Sequence, residues 1–419
     1  MKTEDLFNNY IAPTYGRFPV AMSKGKGSYL YDEAGEEYLD FVSGIAVNTL
    51  GHAHPALIKT ISKQASQLLH CSNLYWIESQ GLLAQKISDQ IMRSPGRTFF
   101  CNSGAEANEV LIKLSRRFAV QKNIKNPKII TFNKSFHGRT MAGISATGQA
   151  KTKKDFDPLL PGFIHVDFNN FEALEQAVND SQGSAVAVML EIVQGEGGIN
   201  IATADFLKAI NSLCKEQDLL LLIDEVQAGI GRTGSWNAWE SIVSNEEFQP
   251  DGVSWAKGLG GGVPIGAAWM SAKKITGSDK SVFELLDAGS HGCTFGGNPM
   301  SCSVALRVLE EIENGALLQN VSARSQQLLT GIEKISSPLV KRVKGVGLML
   351  GIELDLEQVK KMDGFDAKVT PAVNIVKRLF ADRMLVVAAG ESVVRLLPAL
   401  NVSEKDCELA ISKLSQVFS

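Results

Sequence analysis

Across the middle of this 419-residue chain, short apolar runs alternate with segments of helical period, and that alternation restricts the fold more than any other feature. The runs cover 98–101, 128–132, 163–166, 185–191, 219–224, 252–255 and 265–270. All are of strand length, and between them lie helical patterns at 105–121, 171–179 and 205–217. Strands separated by helices pair in parallel, because a parallel partner needs a long crossover to return to the same edge. The expectation is an α/β fold whose large domain, 56–300, holds a mostly parallel seven-stranded sheet. Beyond it the pattern changes to helices at 299–314, 321–335, 370–382 and 404–418, with strands near 346–353 and 393–397. These predict a smaller α+β domain at 301–419. The first 55 residues, with a hairpin at 29–35, are expected to pack on it, so that the small domain is discontinuous.

Composition narrows the class of function. With 44% hydrophobic and 21% charged residues, the chain has the means to bury a large core in two or three domains. A net charge of -3 and a pI near 6.1 give no basic field to neutralise phosphates, so nucleic acid is not an expected partner. The opening Met1-Lys2-Thr3-Glu4-Asp5 lacks the basic end and apolar run of a secretory leader, and no segment reads as a membrane span. Six cysteines form no C-x-x-C pair, which predicts neither a metal site nor a disulfide framework. A reduced, cytoplasmic protein acting on small molecules is the expectation.

Three segments carry candidate chemistry. Leu219-Leu220-Leu221-Leu222-Ile223 is a buried-strand pattern ending in Asp224-Glu225, and open α/β sheets bind ligands at that edge. An acid shielded from water needs a cation, and a protonated pyridine nitrogen is one; a plain strand-end turn would use the same residues. Lys257 lies between the 252–255 run and the tract Gly258-Leu259-Gly260-Gly261-Gly262. Partial burial lowers a lysine's pKa and makes it a Schiff-base former, although a surface lysine before a loop looks alike locally. Asn102-Ser103-Gly104-Ala105-Glu106-Ala107-Asn108 follows the 98–101 run and opens a helix. Its small residues and free N–H groups suit a phosphate, and equally an ordinary capped helix.

Other residues are more equivocal. Gly229-Ile230-Gly231-Arg232-Thr233-Gly234 spells G-x-G-x-x-G, but it neither follows a strand directly nor opens a helix, which argues against a dinucleotide site. His52 and His54 lack a third ligand nearby, and His137 suits packing or site work equally. Arg139 and Arg395 have settings unlike solvent and suit carboxylates, while Glu196 stands alone in a glycine loop. Structural ion pairs would account for Arg395 and Glu196 as well.

Taken together, these segments resemble the class III aminotransferases of the acetylornithine type, members of the fold-type I pyridoxal 5'-phosphate (PLP) enzymes. The resemblance runs from about Tyr15 to the C-terminus and adds Phe136-His137-Gly138-Arg139-Thr140, Gln194 to Gly198, Asp224-Glu225-Val226-Gln227 and Thr294-Phe295-Gly296-Gly297-Asn298-Pro299. It implies that Lys257 holds the cofactor covalently and that Asp224 pairs with its ring nitrogen. Val226 and Gln227 would contact the ring, Gln227 at its hydroxyl, and Phe136 would stack on it. Ser103, Gly104 and Ala105 would hold the phosphate, joined by Thr294 from the other subunit of a homodimer. Arg139 would bind the α-carboxylate of an acylated substrate, and Arg395 that of glutamate once Glu196 releases it.

Departures bear on the substrate. Ile192 stands where the family has proline, Ala228 where it has threonine, and Cys293 where it has serine or threonine beside the substrate. Ile45 stands where ornithine aminotransferases have tyrosine, which leans away from free ornithine. The activity implied is transfer from N2-acetyl-L-ornithine to 2-oxoglutarate, giving N-acetyl-L-glutamate 5-semialdehyde and L-glutamate. Alternatives are succinylornithine, succinyl-diaminopimelate, ornithine or 4-aminobutyrate transamination, or a non-catalytic ligand-binding role.

Overall fold

The structure, a computed structural model, describes residues 2–419. Strands β1 (Met22–Lys26), β2 (Tyr29–Asp32) and β3 (Glu37–Asp40) form an antiparallel meander. The central sheet is built from β4 (Gly96–Cys101), β5 (Lys128–Phe132), β6 (Phe163–Val166) and β7 (Ala185–Leu190), and then, after a small hairpin of β8 (Val193–Gln194) and β9 (Asn200–Ile201), from β10 (Leu220–Asp224), β11 (Gly252–Trp255) and β12 (Gly266–Ser271). Its order is β4-β12-β11-β10-β7-β5-β6. All neighbours pair in parallel except at β12, which is antiparallel to both β11 and β4. The expected mostly parallel seven-stranded sheet is therefore present.

Burial explains why the strand runs are apolar throughout rather than alternating. Along β10, Leu220 and Leu222 join one apolar cluster with Leu111 of the Gly104–Gln121 helix, whereas Leu221 and Ile223 join the cluster that includes Phe206 and Ile210 of the Ala204–Glu216 helix. A strand with a helix on each face has no polar side to offer. Each such Leu or Ile contributes about 1.5–3 kcal/mol relative to exposure.

The C-terminal region makes an antiparallel sheet from β13 (Val340–Val346), β14 (Met349–Leu354), β16 (Val387–Ala389) and β17 (Val393–Leu396). Between them β15 (Met384–Leu385) pairs in parallel with β3, so the N-terminal meander shares a sheet with the C-terminal region. The sequence suggests one strand near 346–353; the chain instead reverses at Gly347 (φ +56°), where any Cβ would strike the Thr233 backbone at 2.5 Å. That contact also explains the G-x-G-x-x-G run: it is a series of turns, tied to the reversal by Leu348 N–H donating to the Arg232 carbonyl at 2.9 Å.

Strand direction now places the chemistry. Two antiparallel steps through β12 leave β4 parallel to β10 and β11, so the C-terminal ends of all three lie at one edge. Ser103, Asp224 and Lys257 follow those ends.

Candidate active site

At that edge opens a cavity of about 360 Å³. Ser103, Gly104, Ala105, Phe136, Arg139, Glu196, Asp224, Val226, Gln227 and Lys257 all line it, as the sequence groups them. Asp224 and Ser254 are register partners on β10 and β11, which brings the acid next to the lysine that follows β11.

Asp224 is 4% exposed and held on three sides. Its Oδ2 accepts from Asn108 Nδ2 at 2.7 Å and from His137 Nδ1 at 2.8 Å, and its Oδ1 accepts the Val226 N–H at 3.0 Å. Asn108 is fixed in turn by Ser254 Oγ, which donates to its Oδ1 at 2.6 Å. The imidazole of His137 is fully buried; burial opposes its charge, but the hydrogen bond and charge of Asp224 outweigh it and raise its pKa. Lys257 responds the other way, with burial foremost, helped by the nearby Arg395 charge, lowering its pKa despite Glu196 and Asp224. A larger share of its amine is therefore neutral and nucleophilic near pH 7.

The phosphate cup is made by the start of the Gly104–Gln121 helix. Ser103 caps it, accepting the Glu106 N–H at 3.2 Å. A Cβ at Gly104 would meet Val226 Cγ1 at 2.5 Å, so the helix end and the Val226 turn approach as closely as they do only because Gly104 has no side chain. A helix N-terminus in a glycine cradle, a buried acid for a ring cation and a lysine of lowered pKa together fit PLP.

On the substrate side, the Arg139 guanidinium lies 5.3 Å from the Phe136 ring centroid. Arg395, fully buried, donates from Nη2 to Glu196 Oε1 at 2.9 Å and from Nη1 to Gln227 Oε1 at 2.7 Å. Burial alone would raise the Glu196 pKa, but the charge and hydrogen bond of Arg395 prevail and lower it.

Four expected residues lie off the cavity wall: Arg395, which sits behind Glu196 and Gln227, and Cys293, Thr294 and Ile45. Cys293 and Thr294 sit on the loop before the Pro299–Asn314 helix, Cys293 Sγ 3.0 Å from Asn102 Nδ2. Ile45 is 37% exposed; Val47, two residues on, lines the cavity instead. The reason is a left-handed turn, with φ of 49°, 65°, 64° and 62° at Ser43, Gly44, Ile45 and Ala46, which L side chains adopt only under strain.

Sequence reasoning missed Glu191 and Ser254, gave Asn108 no role beyond its place in the helix-opening segment, and left His137 between packing and site work. Glu191 lines the cavity at the end of β7, accepting the Phe136 N–H at 2.9 Å and the Gly195 N–H at 3.3 Å. The signal that exposed Asp224, an apolar run closing on an acid, is present here too.

A parallel sheet with a phosphate cup, a buried acid and a buried lysine at one edge defines an enzyme that holds a phosphorylated aldehyde cofactor on an amine. Residues 10–418 match the family model "Aminotransferase class-III", and the chain belongs to that family. It is 44% identical to an acetylornithine aminotransferase of Thermosynechococcus vestitus over 99% of this chain and 96% of that one, and 39% identical to one of Methanocaldococcus jannaschii over 99% and 97%. Among solved structures, the N-acetylornithine aminotransferase of Stenotrophomonas maltophilia superposes with TM-score 0.80 at 33% identity, covering 99% of this chain and 97% of that one. The ornithine aminotransferase of Toxoplasma gondii superposes with TM-score 0.89 at 29% identity, covering 100% and 95%.

Proposed function

We propose that the chain transfers the ω-amino group of N2-acetyl-L-ornithine to 2-oxoglutarate, giving N-acetyl-L-glutamate 5-semialdehyde and L-glutamate. The Arg395–Glu196 pair at 2.9 Å carries this reading, because it lets one cavity serve two unlike substrates. An acylated diamine brings one α-carboxylate, which Arg139 takes, and leaves Arg395 to Glu196; a buried guanidinium without a partner would be costly. A dicarboxylate brings a second carboxylate, which claims Arg395 and displaces Glu196.

PLP, held on Lys257, supplies the aldehyde carbon that takes up the amine and a ring that withdraws electrons. Asp224, fixed by Asn108 and His137, would hold a proton on the cofactor's ring nitrogen by its charge. Lys257 Nζ, its pKa lowered by burial, would carry the proton from the substrate carbon that bears the amine to the cofactor's former aldehyde carbon. Ser103, Gly104 and Ala105 bind the phosphate with backbone N–H groups and a hydroxyl, and Phe136 covers the ring.

The acyl preference draws support from relatives named acetylornithine aminotransferase at 39–44% identity. A homodimer completes the site in this reading. Leu74 (85% exposed) and Trp76 (fully exposed) form an apolar patch of the kind that marks an interface. Asn73 ties that segment to the Thr294 loop through the Cys293 and Gly296 carbonyls, at 3.2 and 2.9 Å, so Thr294 faces the same partner. No helix among the described residues is long and apolar enough to cross a membrane, and all six cysteines are free; we place the protein in the cytoplasm, with a large domain at 56–300 and a discontinuous small one.

A panel of amino donors with 2-oxoglutarate as acceptor tests the reading. N2-acetylornithine should give the highest kcat/KM, ahead of succinylornithine, free ornithine and 4-aminobutyrate. Free ornithine in first place would overturn the substrate assignment.

A further inference from the structure

Glu196 stands between two cavities. One is the sheet-edge cavity, behind whose wall Arg395 bonds Glu196 and Gln227; the other, of about 410 Å³, is lined by Lys134, Arg342, Lys344, Glu353 and Glu391 as well as by Glu196 itself. On its wall Glu353 pairs with Arg342 at 2.8 Å and Lys344 at 3.3 Å, and from outside the cavity Lys341 reaches the same acid at 3.2 Å. Burial raises the Glu353 pKa, but the surrounding cations overcome it and hold the carboxyl down at about 2. Apart from Glu196, the wall carries three cations, Lys134, Arg342 and Lys344, against two acids, Glu353 and Glu391, so it has one positive charge left for a further carboxylate. Of the three cations, Lys134 makes no ion pair among the described residues.

The backbone around Glu196 is locked, so that only its side chain is free to travel. Gly195 N–H donates to Glu191 Oε1 at 3.3 Å, and the Gly197 carbonyl accepts from Asn200 Nδ2 at 3.1 Å. A Cβ at Gly195 would meet Gln227 Oε1 at 2.2 Å, and one at Gly197 would meet the Lys134 carbonyl at 2.4 Å. The same Asn200 accepts from Lys344 Nζ at 3.5 Å, which joins the cationic cluster to the hairpin that carries Glu196. The Glu196 side chain is 32% exposed, so its carboxylate is not sealed against Arg395.

We propose that the second cavity receives the Glu196 carboxylate when a dicarboxylate takes Arg395, with Lys344 and Lys134 as the receiving cations. This rests on the transamination reading and deepens it. Both lysines are positioning residues that act on substrate only through Glu196. Without them the displaced carboxylate would remain beside the incoming one, and like charges in a shielded site repel. With them the exchange trades one ion pair for another, which keeps the energy of the two substrate-bound states close.

Glutarate, a dicarboxylate with no keto group to react, is the probe, and its affinity for the PLP-loaded protein is measured by calorimetry. Lys134→Gln/Lys344→Gln should weaken glutarate about fivefold, the scale of a partly exposed ion pair. In the Glu196→Ala background the same two substitutions should change nothing, since no carboxylate needs a place to go. Lys344→Arg, which keeps the charge, should restore most of the affinity. Unchanged affinity in the wild-type background would overturn the proposal. So would equal weakening in both backgrounds, which would show that the lysines attract the dicarboxylate directly. Should the double variant not fold, a crystal structure of the wild-type protein with glutarate decides: Glu196 within about 4 Å of Lys134 or Lys344 supports the proposal, and Glu196 elsewhere refutes it. A protein that shows this coupling yet transfers no amino group from any donor would refute the transamination reading and leave the receiving site standing.

Discussion

At residue scale, Lys257 and Asp224 face one cavity for reasons that belong to their neighbours. Lys257 sits at φ +37°, a backbone state that favours glycine, at the start of a glycine tract that lets the chain turn sharply after β11. Asp224 keeps its charge directed into the cavity because Asn108 and His137 hold one oxygen and Val226 the other. Asp224→Asn should therefore fold, with an unchanged far-ultraviolet circular dichroism spectrum, and lose about 10²–10³-fold in the single-turnover rate, the scale seen when one preorganised electrostatic group is removed. A near-normal rate would reduce Asp224 to a structural strand end. The strand ends that carry both residues were legible in the local pattern, but only the resemblance of the whole set of motifs gave Lys257 and Asp224 their roles. Asn108 and Ser254 were not legible, since their importance comes from a hydrogen-bond relay between a helix and a strand far apart in the chain.

At element scale, Glu191 joins two loops. One carboxylate accepts from Phe136 on one loop and Gly195 on the other. Burial pushes it up from its ordinary 4.5 to about 7, with Asp224 adding to the rise and His137 opposing it. Since the folded state then holds the proton more tightly than the unfolded one, the Glu191 contribution to stability is fully present below about pH 4.5 and is lost as pH rises through about 7. His137, whose pKa is also raised, acts in the same direction above its unfolded value. Glu191→Gln should flatten the fall in Tm between pH 4.5 and 7 measured by calorimetry on cofactor-free protein. An unaltered pH profile would mean that Glu191 does not titrate in that window. The helices at 299–314 and 404–418 and the large-sheet strands follow from periodicity nearly residue for residue. The β13–β14 reversal was hidden because a hairpin with apolar residues on both sides of one glycine reads as a single strand.

At the scale of the whole molecule, an apolar run looks the same in sequence whether its own core or a partner covers it, so the patch at Leu74 and Trp76 emerges only in three dimensions. Trp76→Glu should weaken self-association about thirtyfold or more, as removal of a central aromatic anchor does, and should loosen PLP because Thr294 shares that face. Light scattering across a dilution series reads the mass, and a wild-type protein that is monomeric throughout would refute the dimer. The proposed chemistry depends on one bond, between the cofactor and Lys257. Borohydride reduction of the PLP-loaded protein, followed by peptide mapping, tests it directly: the reduced cofactor should be found on Lys257 and should vanish from Lys257→Ala, whereas a label on any other lysine, or none, would contradict it.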